Sequence, residues 1–93
     1  MYNYVDNAGQ IGGAIVKEVK VMLTSVERIV EFVNIMERLS INADLGQGNV
    51  KIDARSMIGV IAMDTTAPIT LCINENEDTT KELLTKIDSF LVK

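Results

Sequence analysis

The sequence predicts an α+β open-faced sandwich in the order β-α-β-β-α-β-α, a four-stranded antiparallel sheet with three helices on one face. Two observations predict it. The strand-like segments alternate apolar and polar residues, so each has a single apolar face. Between them lie segments with helical spacing of apolar residues and helix-starting residues at their heads. Helices can cover the apolar side of such a sheet and leave its other side in water.

In chain order, residues 1–15 read as an N-terminal extension, and 16–93 as the domain. The extension is polar and contains Gly9, Gly12 and Gly13, with Tyr2 and Tyr4 near its start. Its glycines do not make a phosphate loop, because no strand precedes them and Lys17 follows at the wrong distance. From Ile15 to Leu23 the chain alternates, with Val19, Val21 and Leu23 on one side and Glu18, Lys20 and Met22 on the other. Thr24-Ser25-Val26-Glu27 has the form of a capping box with Thr24 as N-cap. The helix that follows should run to Arg38 or Ser40. Its expected apolar face is Val26, Ile29, Val30, Val33 and Met36, with Ile35 and Leu39 as further candidates, and Glu27, Arg28, Glu31 and Glu37 in water.

Ile41, Ala43 and Leu45, then Val50, Ile52 and Ala54, alternate with polar residues around the turn-rich Gly46-Gln47-Gly48-Asn49, which predicts a hairpin. Ser56 begins a short helix that ends before Asp64, and 64–68 is a loop. A fourth strand, Ile69 to Asn74, points Ile69, Leu71 and Ile73 one way and Thr70, Cys72 and Asn74 the other. Glu75, Glu77 and Asp78 open the last helix, where negative charge suits the dipole. Leu83, Leu84, Ile87, Phe90 and Leu91 are its expected buried face.

Ninety-three residues make one domain with an aliphatic core, since the chain has no Trp and few aromatics. A net charge of −4 and scattered basic residues argue against nucleic acid as a partner. No apolar run is long enough for a membrane span and no signal peptide is evident, so the expectation is a cytoplasmic protein with no membrane partner. Cys72 is alone, which suits a reducing compartment, and no basic neighbour in sequence activates it. The chain has no histidine, which removes the commonest general base and metal ligand together. The acidic run from Asn74 to Asp78 lacks the spacing of a Ca²⁺ loop, so no metal and no cofactor is expected.

The segment Arg55-Ser56-Met57-Ile58-Gly59-Val60 is close to the Lys-Ser-Ile-Met-Gly-Val segment of the HPr-type phosphocarriers of the sugar phosphotransferase system, and Glu31-Phe32-Val33 fits their first helix. From about Val16 to Lys93 the chain resembles that family in order of elements and in length. Residues 1–15 have no counterpart.

The family carries phosphate on a histidine in a His-x-Arg-Pro motif. The resemblance puts Ser25 at the histidine, Glu27 at the arginine and Arg28 at the proline. No register restores a histidine, since the chain has none, and a carboxylate at Glu27 would also repel an incoming phosphoryl group, so the resemblance implies a divergent member not competent for phosphohistidine transfer. Ser25 as a substitute acceptor would form an ester of low transfer potential with no base nearby; the plainer reading is a helix-start residue.

Ser56 falls on the position that a dedicated kinase phosphorylates in many family members. Phosphate there would add about −1.5 to −2 charge beside Arg55. The plainer alternative is an N-cap contributing ~1 kcal/mol. The resemblance also makes Arg55, Met57, Ile58 and Ile61 partner-facing, with Val60 and Met63 turned to the core.

The expectation is therefore a non-enzymatic regulatory or interaction module, with phosphotransferase-system components, a regulator or an HPr-type kinase as protein partners. The alternative is a small-effector-binding regulatory domain of the same topology. No nucleophile–base pair or metal set supports an enzymatic reading.

Overall fold

The computed structural model describes residues 10–11 and 14–92, with side chains from Lys17 onward. Tyr2, Tyr4, Gly9, Gly12, Gly13 and Lys93, like most of the expected extension, lie outside the described residues. The elements are β1 Gln10–Ile11, β2 Ala14–Val21, α1 Val26–Arg38, β3 Ala43–Gln47, β4 Val50–Asp53, α2 Met57–Ile61, β5 Ile69–Glu75 and α3 Glu77–Lys86. A 3₁₀ turn, Asp88–Phe90, follows α3. The sheet is antiparallel throughout, in the order β1-β2-β5-β3-β4. The four expected strands are present. β1 adds a two-residue fifth at the edge, pairing Gln10 with Ile15 and Ile11 with Ala14, so β2 begins two residues before the expected domain start.

Register follows the apolar alternation. Ile69, Leu71 and Ile73 of β5, Ala43 and Leu45 of β3 and Val21 of β2 are buried on one face. There they join Ile29, Phe32, Val33 and Met36 of α1, Val60 of α2 and Leu83 of α3 in a single cluster. The other face is polar. Across it run two rows set by the pairing: Glu18, Cys72, Asp44 and Asp53, and next to it Lys20, Thr70, Gly46 and Lys51. Lys20 Nζ donates to Thr70 Oγ1 at 2.6 Å. Cys72 lies on this open face, half-buried.

Three local expectations are corrected. The N-cap of α1 is Ser25, not Thr24: the Ser25 hydroxyl accepts from Arg28 N–H at 3.1 Å, and Arg28 at that capping position cannot reach back as a glutamate would. Val26 and Val30 do not join the buried face of α1, whereas Phe32 does. Ile29, Phe32, Val33 and Met36 are one stripe at helical spacing, and Val30 lies roughly 100° round from Ile29. The last helix stops at Lys86. Ile87 and Phe90 are buried as expected, but Phe90 belongs to the 3₁₀ turn and Leu91 to a bridge with Val21.

This tail has a structural use. Met22 N–H donates to the Phe90 carbonyl at 2.8 Å and Val92 N–H to the Lys20 carbonyl at 2.9 Å, covering part of the outer edge of β2.

The end of α1 is set by Ser40 at φ 51°, in the left-handed region. Its N–H donates to the Glu37 carbonyl, and the Ile41 N–H to the Met36 carbonyl, both at 3.0 Å. That pair of bonds is a Schellman closure, and buried Met36 and Ile41 supply its apolar side chains. The β3–β4 hairpin has the two-residue loop Gly48-Asn49, with Gly48 at φ 61°, the sign that a twisted two-residue hairpin needs at its first loop position.

Candidate interaction surface

The helix α2 makes a close approach to β4 at Gly59. A Cβ added to Gly59 would stand 2.7 Å from Ile52 Cγ2 and 2.9 Å from Ser56 Oγ, so only glycine lets the helix rest this near β4. Val60 and Met63 turn inward and are buried, fixing which side of the helix faces out. Ser56 is the N-cap: its exposed hydroxyl accepts from Gly59 N–H at 3.3 Å. Arg55 is drawn back to the preceding strand. Its N–H donates to Asp53 Oδ1 at 2.8 Å, and its Nε lies 3.5 Å from the same oxygen.

What remains outward is apolar. Ile58 is 84 % exposed and Ile61 46 % exposed, while Met57 is partly buried and packs against the core. The far end of the helix is fixed by Gln47. Its amide donates to the Asp64 carbonyl at 2.6 Å, and its side-chain oxygen accepts from Asp64 N–H at 3.0 Å. The Asp64 carboxylate accepts from the Thr66 hydroxyl and N–H, which hold its pKa below the usual carboxylate value. The short helix therefore presents its isoleucines from a fixed platform.

The helix α1 packs beside α2, and its start has another character. Ser25 is engaged as a cap and Glu27 is exposed. The guanidinium of Arg28 stacks on the Phe90 ring at 3.9 Å and donates to the Ser89 carbonyl at 2.7 Å; Nη1 also lies 3.5 Å from Glu31. Phe90 in turn meets Phe32 edge-on, with ring centroids 5.4 Å apart. Arg28 thus joins the first turn of α1 to the end of the chain. Sequence reasoning left it in water, and no local signal points to a partner 61 residues away. Val26, 60 % exposed, and Val30, 37 % exposed, lie at the surface although the apolar spacing of α1 places them on its buried face.

On the open face, burial pushes the Cys72 thiol pKa up, and the carboxylates of Glu18 and Asp44 add to the shift against the opposing pull of Lys51. Such a thiol holds little thiolate at neutral pH and is a poor nucleophile. Among the described residues no three His, Cys, Asp or Glu side chains come together as a metal site, and no helix is long and apolar enough to cross a membrane. Comparison of the chain with protein-family models, with curated proteins and with solved structures gave no match.

Proposed function

We propose that the chain is an HPr-like regulatory module of the cytoplasm that acts by docking to other proteins rather than by catalysis. In this reading α2 is the docking element: Arg55, Met57, Ile58 and Ile61 face a phosphotransferase-system component or regulator, and Ser56 is the site at which a family kinase would alter that contact. Ser25, Glu27 and Arg28 stand where the phosphocarriers keep their acceptor motif and are not a phosphoryl-transfer site. With no histidine in the sequence, phosphohistidine cannot form.

The observation that carries the reading is Ile58, 84 % exposed on a helix whose other side is anchored by Gly59, Val60 and Met63. A large aliphatic side chain left in water on a well-fixed helix is the kind of group that partners cover. Arg55 and Ser56 are exposed beside it.

The test has two arms. The protein is incubated with an HPr-type kinase and ATP, and mass spectrometry is used to look for phosphate on Ser56; an unmodified Ser56 removes the signalling half of the proposal. Separately, an Ile61→Asp variant with an unchanged melting temperature should lose a phosphotransferase-system partner that the parent protein captures. Retention of every such partner removes the docking half. A melting temperature that instead rises with an added metabolite would favour the effector-binding alternative.

A further inference from the structure

The outer face of α1 carries two parallel stripes. Val26 and Val30 stand four residues apart, as do Glu27 and Glu31, and the four side chains line one open hollow. At this spacing each pair lies on one side of the helix, an aliphatic stripe beside a carboxylate stripe. The cation closest in sequence, Arg28, is committed elsewhere, to the Phe90 ring and the Ser89 carbonyl. It reaches Glu31 only at 3.5 Å, through a nitrogen that also donates to Ser89 Oγ, and Glu27 makes no ion pair among the described residues.

A second row of carboxylates, Glu18, Asp44 and Asp53 on the open sheet face, differs in both respects. Lys20 and Lys51 stand in the adjoining row, and Asp53 already pairs with Arg55. Its row-mates are polar or small rather than exposed aliphatics. Compared with that row, the α1 face combines uncovered aliphatic groups with under-compensated negative charge.

Lysine and arginine side chains match that combination, since their methylene stems can lie over valines while their charged heads reach carboxylates at the rim. We propose that the α1 face docks a basic amphipathic helix of a partner protein, with lysines or arginines seated along Glu27 and Glu31 and aliphatic side chains on Val26 and Val30. This rests on the reading of the chain as a docking module and names the chemistry of the partner.

The probe is a synthetic amphipathic peptide of about 18 residues, five helical turns, with lysines on one face and leucines on the other. A second peptide replaces the lysines with glutamates. Binding is followed by amide chemical shifts at physiological salt. The lysine peptide should bind, the glutamate peptide should not, and the shifts should centre on residues 26–31. A Glu27→Gln/Glu31→Gln double variant should weaken binding by about tenfold, whereas Glu18→Gln/Asp44→Asn should change it by less than about twofold.

Shifts centred on the open sheet face, an unchanged affinity in the α1 double variant, or failure of the lysine peptide to bind would each overturn the proposal. An Ile58→Asp variant separates this failure from failure of the docking reading. If the α1 variants have no effect while a phosphotransferase partner still requires Ile58, docking through α2 stands and only the basic partner falls.

Discussion

The two helices α1 and α2 begin alike and are used differently. Each has a serine N-cap whose hydroxyl accepts from the N–H three residues on: Ser25 from Arg28 at 3.1 Å, and Ser56 from Gly59 at 3.3 Å. Beyond the cap they diverge. At α1 the donating residue is an arginine, and its guanidinium is stacked on Phe90 and bonded to Ser89. At α2 the donating residue is a glycine, whose missing side chain lets the helix settle on Ile52 while Ile58 stays in water. The same backbone requirement, a partner for an unpaired first-turn N–H, is met by the same residue type. What differs is the side chain at the third helical position, which fastens one helix start to the C-terminal turn and leaves the other free to be touched.

If that contrast is right, the largest effect should come from the α1 clamp. Phe90→Ala removes the ring shared by Phe32 and Arg28 and should cost about 3–5 kcal/mol in denaturant unfolding. A cost below about 1.5 kcal/mol would mean that the end of the chain does not hold the start of α1.

Next comes the bearing of α2. Gly59→Ala forces a methyl to within 2.7 Å of Ile52 Cγ2 and should cost about 1–3 kcal/mol. Amide exchange should show the loosening concentrated in α2; an effect spread evenly over the domain would contradict a local bearing at Gly59.

The caps sharpen the comparison further. Ser25→Ala should cost ~1 kcal/mol, since it begins a 13-residue helix that carries four core residues. Ser56→Ala should cost ~0.5 kcal/mol, because its bond is longer and the helix has five residues. Equal costs would show that the two starts are energetically the same. The smallest effect is at the tip: Ile58→Asp should leave stability within about 0.5 kcal/mol of the parent protein in the same unfolding experiment. A larger loss would show that Ile58 is part of the packing, not of a free surface.

Much of the architecture was legible because it rests on near-neighbour patterns. The alternation in 69–74 gave a strand with Ile69, Leu71 and Ile73 inward, and all three are fully buried. The turn signals at 46–49 gave the hairpin, and Ser56 before Val60 gave a capped short helix with its core residue on the correct side. At the candidate surface, the resemblance implied that Met57, Ile58 and Ile61 face outward and Val60 and Met63 inward; Ile58 and Ile61 are exposed, Val60 and Met63 are buried, and Met57 is half-buried against the core. Where the local pattern misleads, the deciding contact is remote. Val26 and Val30 satisfy an apolar pattern with Ile29, yet the packing rotates α1 so that Phe32 takes the inner place. The apolar run of the last helix continues to Leu91 in sequence, but the edge of β2 draws off Phe90 and Leu91 instead.

By itself the sequence determined the order of elements from β2 to α3, the inward face of each core strand and the absence of histidine chemistry, because these depend on residue type and on spacings of a few residues. The tertiary structure decided the rotation of α1, the seat of Arg28 on Phe90 and the degree to which Ile58 stands in water. Those depend on which surfaces meet across the fold, and a local pattern that allows two helix rotations is resolved only when the apolar side of the sheet is covered.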